Sequence, residues 1–187
     1  KLIGLPIVSG PTKIGIAREE HEDALVLRTS HDGYAERFGV IHQRALMLSA
    51  AGNRLDGEDV FVPISGTILP AGRQDDFAVR FHLHPSIKAN RLTDGHGVML
   101  MLPNREVWTF DAYEDRVELE ESVFLAGPDG PRRTVQIVIH GHARLVPRVH
   151  WTFANVNATQ AAARKARADA APRLPLDKPQ NDEPELP

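Results

Sequence analysis

The sequence predicts an antiparallel β-sandwich, and three observations carry that expectation. Short stretches in which apolar and polar residues alternate recur between Lys13 and Phe153, and a period of two places alternate side chains on opposite faces of a strand. Turn-forming residues interrupt these stretches roughly every 8–12 residues, the rhythm of an all-β sandwich. No segment before Asn155 shows the period of a helix.

In chain order, Lys13–Arg18 and Ala24–Ser30 read as strands, with Ile14/Ile16 and Leu25/Leu27 giving the alternation and Glu19–Asp23 the turn. Asp32-Gly33 marks the next turn. Gly39–Ala50 and Leu55–Val62 form a hairpin about Ala51-Gly52-Asn53, and Asp56-Gly57 suggests a bulge or a second tight turn. Ser65–Gln74 reads as a loop. Ile87–Leu92, the turn Thr93–Gly95 and Gly97–Leu102 follow, the run VMLML reading as buried on both sides. Pro103-Asn104 turns the chain into Glu106–Ala112 and Arg116–Leu125, where Val117 and Leu119 point inwards and Glu118 and Glu120 face water. Gly127–Pro131 is the clearest turn, and Thr134–Ala143 and Arg148–Phe153 complete the set. Residues 1–154 thus form the sandwich. Residues 155–187 are an Ala/Pro-rich tail, a marginal exposed helix over Ala158–Ala171 and disorder over Pro172–Pro187.

The strand at Asp76–Ser86 organises the whole. Phe77, Val79, Phe81 and Leu83 alternate with Ala78, Arg80, His82 and His84, so one face belongs against a second sheet and the other carries a cationic, ligand-capable row. Pro85 ends the strand, having no N–H for a ladder bond.

Of the 187 residues, 42% are hydrophobic and 25% charged, with net charge −3 and no cysteine. That suits one globular domain with a tail, excludes a disulfide scaffold and thiolate chemistry, and points away from nucleic acid. No apolar run reaches the roughly 20 residues needed to cross a bilayer, so no membrane partner is expected. The chain begins at Lys1 without Met or a signal-peptide pattern. LIGLPIVSGP reads as a continuation, which leads us to expect the C-terminal piece of a longer protein, its sandwich incomplete on the N-terminal side.

Four groups of residues are candidates for chemistry. His82 and His84 share a strand face, as zinc or iron ligands on sheets do; the ordinary reading is a hydrogen-bonded or sugar-facing pair, with Arg80 beside them for substrate. A cupin-like reading fails, since no Glu follows the pair. His140 and His142 share a face likewise, and join the first pair as metal candidates only if the two strands are neighbours; otherwise they are exposed residues near a strand end. His31, Tyr34 and His42, with Asp32 and Arg44, are candidates for proton transfer, the competing reading being a corner stapled through the Tyr34 hydroxyl, with Asp32 accepting from Arg44 or capping the turn through its own backbone. Trp108, Phe110, Tyr113, Trp151 and Phe153 suit sugar stacking and core equally. No Ser–His–Asp, P-loop or dinucleotide motif is present.

The succession HDGY…GVIHQR…GED, the segment RFHLHP and the stretch VWTFDAYEDRVELEESVFLAGPDGPRRTVQIVIHG resemble the C-terminal region of heparinase II/III-like proteins, from about Leu5 to Phe153. The resemblance implies a bacterial polysaccharide lyase: an N-terminal α/α toroid, an antiparallel sandwich, and between them a cleft that binds an acidic polysaccharide or oligosaccharide. Such enzymes cleave uronate polymers by β-elimination. It also implies a periplasmic or cell-envelope setting, no cofactor for this chain itself, and zinc or calcium in full-length relatives. The family's catalytic Asn or His and Tyr lie in the toroid, which this chain lacks, and a further His and the metal ligands lie on strands preceding Lys1. No family catalytic residue maps onto this sequence, so the catalytic residues are unknown and His31, Tyr34 and His42 are candidates by chemistry alone. The chain by itself is expected to be inactive. The alternative is a stand-alone carbohydrate-binding or structural β-module.

Overall fold

A computed structural model of the chain describes residues 10–64, 75–113, 115–125, 130–143 and 145–158. Among these, the strands are β1 (Ile14–Glu20), β2 (Ala24–His31), β3 (Val40–Ser49), β4 (Arg54–Pro63), β5 (Asp76–His82), β6 (Lys88–Arg91), β7 (Gly97–Met101), β8 (Val107–Asp111), β9 (Val117–Phe124), β10 (Arg132–His142) and β11 (Arg148–Asn155), with a four-residue helix α1 (Ala35–Phe38) between β2 and β3. They form an eight-stranded sheet in the order β1-β2-β3-β4-β11-β8-β7-β6 and a three-stranded sheet in the order β5-β10-β9. Every pairing is antiparallel. The fold is the all-β sandwich that the alternating pattern predicts.

β5 ends at His82, two residues short of the end that Pro85 predicts, but the alternation of its two faces carries on to His84. Val79 and Leu83 are buried and Phe77 and Phe81 pack against the core, while Ala78, Arg80, His82 and His84 are exposed. Opposite lie Phe110, Trp151 and Phe153, whose rings meet Phe81 at centroid distances of 5.0, 4.8 and 5.6 Å. Trp151 and Phe110 are therefore core residues, and Trp108 is half-buried with its indole N–H donating to Glu106. Val117, Ile137, Ile139 and Val149 complete a centre without solvent contact. Gly57 makes room for the indole, since a Cβ built there would lie 2.1 Å from a Trp151 ring atom.

Several local expectations need correction. Asp56-Gly57 is neither bulge nor turn: β4 runs through it in unbroken register with β3 and β11. The run at Val98–Leu102 is not buried on both sides. Val98 and Leu100 face the core but Met101 is exposed, because among the described residues no layer covers the far face of the large sheet there. Helix α1 is too short for a period and ends at Gly39, whose φ of 67° is the left-handed conformation glycine adopts freely. The loop at Ser65–Gln74, most of the Gly127–Pro131 turn and the tail beyond Ala158 lie outside the described residues.

Candidate functional site

Two constellations gather the candidate residues. The first begins at Asp59, whose position in β4 shares a face with Leu55, Gly57 and Phe61 and so points a carboxylate into the sandwich. It is fully buried, with 0% exposure. Four donors satisfy it: His42 Nε2 at 2.7 Å and Arg44 Nε at 2.7 Å on one oxygen, Arg44 Nη2 at 3.0 Å and the Trp151 indole N–H at 2.9 Å on the other. Burial works to raise its pKa, but the hydrogen bonds from His42, Arg44 and Trp151 outweigh it and hold the carboxyl below its ordinary value.

The chain of contacts continues outwards. His31 Nε2 lies 3.2 Å from His42 Nδ1, and the Gly33 backbone N–H donates to His31 Nδ1 at 3.2 Å. An amide N–H can only donate, so Nδ1 of His31 accepts. Neutral His31 then carries its proton on Nε2 and donates to His42 Nδ1, and His42 donates from Nε2 to Asp59. One tautomer of each ring satisfies the whole series. Burial, and then the neighbouring His42, push the His31 pKa below its ordinary value, against a weaker pull from Asp32. All four imidazole nitrogens are thereby engaged.

Tyr34 stands beside this series, its ring centroid 5.2 Å from that of His31, and its hydroxyl has no hydrogen-bond partner among the described residues. Asp32 does not bond Arg44, and its own backbone N–H is among the groups whose hydrogen bonds lower its pKa. It accepts from Thr12 N at 2.8 Å, Thr12 Oγ1 at 2.5 Å and Lys13 N at 3.1 Å, tying the approach to β1 onto the end of β2. Those bonds, the Thr12 hydroxyl first, lower its pKa to about 2. Arg44 is drawn to Asp59 because both sit on the inner face, directly paired across β3 and β4. Between the sheets at this end lies a cleft of about 300 Å³, walled by Tyr34, Phe38, His42, Phe61, Phe77 and Arg80.

The second constellation covers the outer face of the small sheet. β10 pairs with β5, so the two His pairs do share one surface. They do not converge. His82 lies opposite Gln136 and His140 opposite Ala78, four residues apart along the strand, or roughly 13 Å. Each has its own partner: His82 with Ser122 at 2.8 Å, His84 with Ser86 at 2.6 Å, His140 with Glu120 at 2.9 Å and His142 with Asp76 at 2.5 Å. Glu120 is the hub, also bonded to Arg80 at 2.5 Å and Gln136 at 3.0 Å; Arg80 and then His140 depress its pKa.

Among the described residues, two groups place three ligand atoms within 4.8 Å of one another: Asp75, Asp76 and His142, and Glu118, Glu120 and His140. A cation at the second would have to displace the Arg80 guanidinium and the His140 bond from Glu120, so that donor set fits an ion-pair network better than a metal centre. His82 and His84 belong to neither group.

Asp59 escaped the sequence reading. Its signal is a phase: a carboxylate at an inward position, two residues from Phe61 and two from a glycine.

A two-sheet antiparallel sandwich with a polar network at one end is thus the class of protein in hand. The sequence matches the family described as heparinase II/III-like, C-terminal, over residues 9–152, and the chain belongs to that family. It is 32% identical over 157 residues to FtsZ-localized protein C of Caulobacter vibrioides (strain NA1000 / CB15N), a match covering 81% of this chain and 27% of that protein. Among solved structures it is similar to heparan sulfate lyase HepC from Pedobacter heparinus, with TM-score 0.60 and 10% identity over 77% of this chain and 22% of that one. A heparinase III structure gives TM-score 0.58 and 12% identity over 77% and 21%. The chain therefore spans about a quarter of the length of the curated relative and about a fifth of the structural ones.

Proposed function

We propose that this sandwich forms part of a polysaccharide lyase acting on uronate-containing polymers, and that it supplies a wall of the substrate cleft and support for a helical toroid rather than the reacting groups. The observation that carries this reading is the engagement of His31 and His42. A base for β-elimination needs a free nitrogen lone pair facing the C5 proton, and here every nitrogen is already given to Gly33, the partner imidazole or Asp59. The group is arranged to hold the Asp32–Tyr34 turn against β3 and β4.

Elimination also requires the uronate carboxylate to be neutralised, which makes the C5 proton acidic enough to be removed, and an acid to protonate the departing O4. Arg80 lines the inter-sheet cleft and shares its strand face with His82 and His84. In this reading Arg80, His82 and His84 meet the acidic sugar on the outer face of the small sheet, and Tyr34, whose hydroxyl has no hydrogen-bond partner among the described residues, meets it from the cleft that Arg80 also lines. The base and acid come from outside residues 1–187. Family membership and a fold shared with two lyases support the reading. It is tested by assaying the full-length protein containing this chain on heparan sulfate, alginate and polygalacturonate, following the ultraviolet absorbance of the C4–C5 unsaturated product.

A second reading has its own observation. The identity to FtsZ-localized protein C, 32%, far exceeds the 10% and 12% to the lyase structures. On that reading the chain is a non-catalytic structural module of a protein that, like the relative, is found with FtsZ. Absence of unsaturated product from the full-length protein, together with its co-sedimentation with FtsZ polymers, would select it.

A further inference from the structure

The outer face of the large sheet carries a built groove that neither constellation uses. Beyond β8 the chain turns at Ala112 and Tyr113 and folds over β11 where β11 has lost its β8 neighbour, since that pairing starts only at Thr152. Tyr113 has a φ of 58°, the left-handed region that bulky side chains avoid. Three bonds hold it there. Its N–H donates to Asp111 at 2.6 Å, Arg54 Nη2 donates to its hydroxyl at 3.2 Å, and the hydroxyl lies 2.8 Å from Thr152 Oγ1. The Thr152 hydroxyl gives its single proton to Asp56 at 2.6 Å, so the phenol must donate to Thr152. Asp56 in turn receives two bonds from Arg54, one at 2.8 Å and one at 2.6 Å, closing the ring.

The result is an aromatic ring fixed at both ends and 51% exposed. It borders a groove of about 590 Å³ with Arg148, His150, Asp115 and Val146. Strained backbone and a locked, half-exposed aromatic together mark a surface prepared for a ligand, because ordering has been completed before binding. Its charge decides the ligand class. Arg54 is committed to Asp56, and Arg148 and His150 both face Glu58 at 3.0 and 3.3 Å. Asp56 and Glu58 thus match Arg54 and Arg148 one for one, so these pairs leave no net positive charge for a polyanion.

We propose that this groove is a binding site for an uncharged saccharide unit, whose C–H face stacks on Tyr113 while its hydroxyls bond His150, Arg148 and Asp56. The site lies on a different face from the uronate-binding edge proposed above and stands independently of the lyase reading.

Two-dimensional NMR titration of residues 1–187 with chitotetraose, cellotetraose and a heparan-derived tetrasaccharide tests it. At least one neutral tetrasaccharide is expected to shift the resonances of Tyr113, His150 and Thr152, with the acidic one leaving them unmoved. Tyr113→Ala is expected to weaken binding about tenfold, the size of a lost aromatic contact. His150→Ala, at an exposed position outside the hydrogen-bonded ring, should weaken it severalfold while the unfolding midpoint stays at the wild-type value. Silence of these resonances with both neutral sugars, unchanged affinity in both variants, or a response to the acidic sugar alone would overturn the proposal.

Discussion

Replacing Asp59 with Ala would leave the Arg44 guanidinium, the His42 N–H and the Trp151 indole N–H facing an apolar wall without an acceptor. Breaking a buried pair from one side costs about 3–5 kcal/mol, and urea denaturation of Asp59→Ala is expected to show a loss of that size. Acid should act on the same residues in two stages. The folded pKa of His31 lies below its ordinary 6.5, so as pH falls past 6.5 the unfolded chain takes a proton that the native chain resists, and stability drops. His31→Gln is expected to remove this first stage from a plot of unfolding midpoint against pH. Asp32 and Asp59 are depressed from 3.8, Asp32 to about 2. Their contribution is whole above 3.8 and is lost as pH falls below it, in the variant as in the parent. At this scale the sequence was partly legible. His31, His42 and Arg44 were visible as a group, but the acceptor joining them is 15 residues from Arg44 and meets it only through the register of β3 and β4.

The elements were the most legible part, because alternation is local. β5 shows why: its inward Phe, Val and Leu and outward Arg and His could be assigned from a period of two. The two faces are expected to respond unequally to truncation. Leu83→Ala, at a buried position, should cost about 2–5 kcal/mol, whereas Arg80→Ala removes an exposed ion pair with Glu120 worth at most about 1 kcal/mol. Equal losses in chemical denaturation would mean the strand does not divide the protein as described. Gly57 was misread as a turn signal because a dipeptide carries no information about what lies opposite. Trp151 lies opposite, and Gly57→Ala is expected to displace the indole, changing near-ultraviolet circular dichroism and costing about 1–3 kcal/mol. The pairing of β10 with β5 was likewise open in the sequence, since strand order depends on contacts some 60 residues apart.

At the scale of the molecule, the described residues set eight strands against three. Among the described residues the central core cluster draws on β4, β5 and β7 to β11 and takes no residue from β1 or β2, although Val26 of β2 is buried apart from it. Among the described residues nothing covers the inner face of β1, where Ile14 and Ile16 are 66% and 73% exposed, and no strand pairs with its outer edge. Such an edge favours association. Light scattering of the isolated chain is expected to show concentration-dependent oligomers that Ile16→Lys reduces. That overhang fits a sandwich whose work is done with further structure against it, which is also the central claim about its chemistry. The most direct test is a single paired assay on uronate polymers, with residues 1–187 in one sample and the full-length protein in the other. The expected result is unsaturated product from the full-length protein and none from residues 1–187. Product from residues 1–187 alone, abolished by His42→Ala with the fold intact, would place the base within this chain and contradict the account.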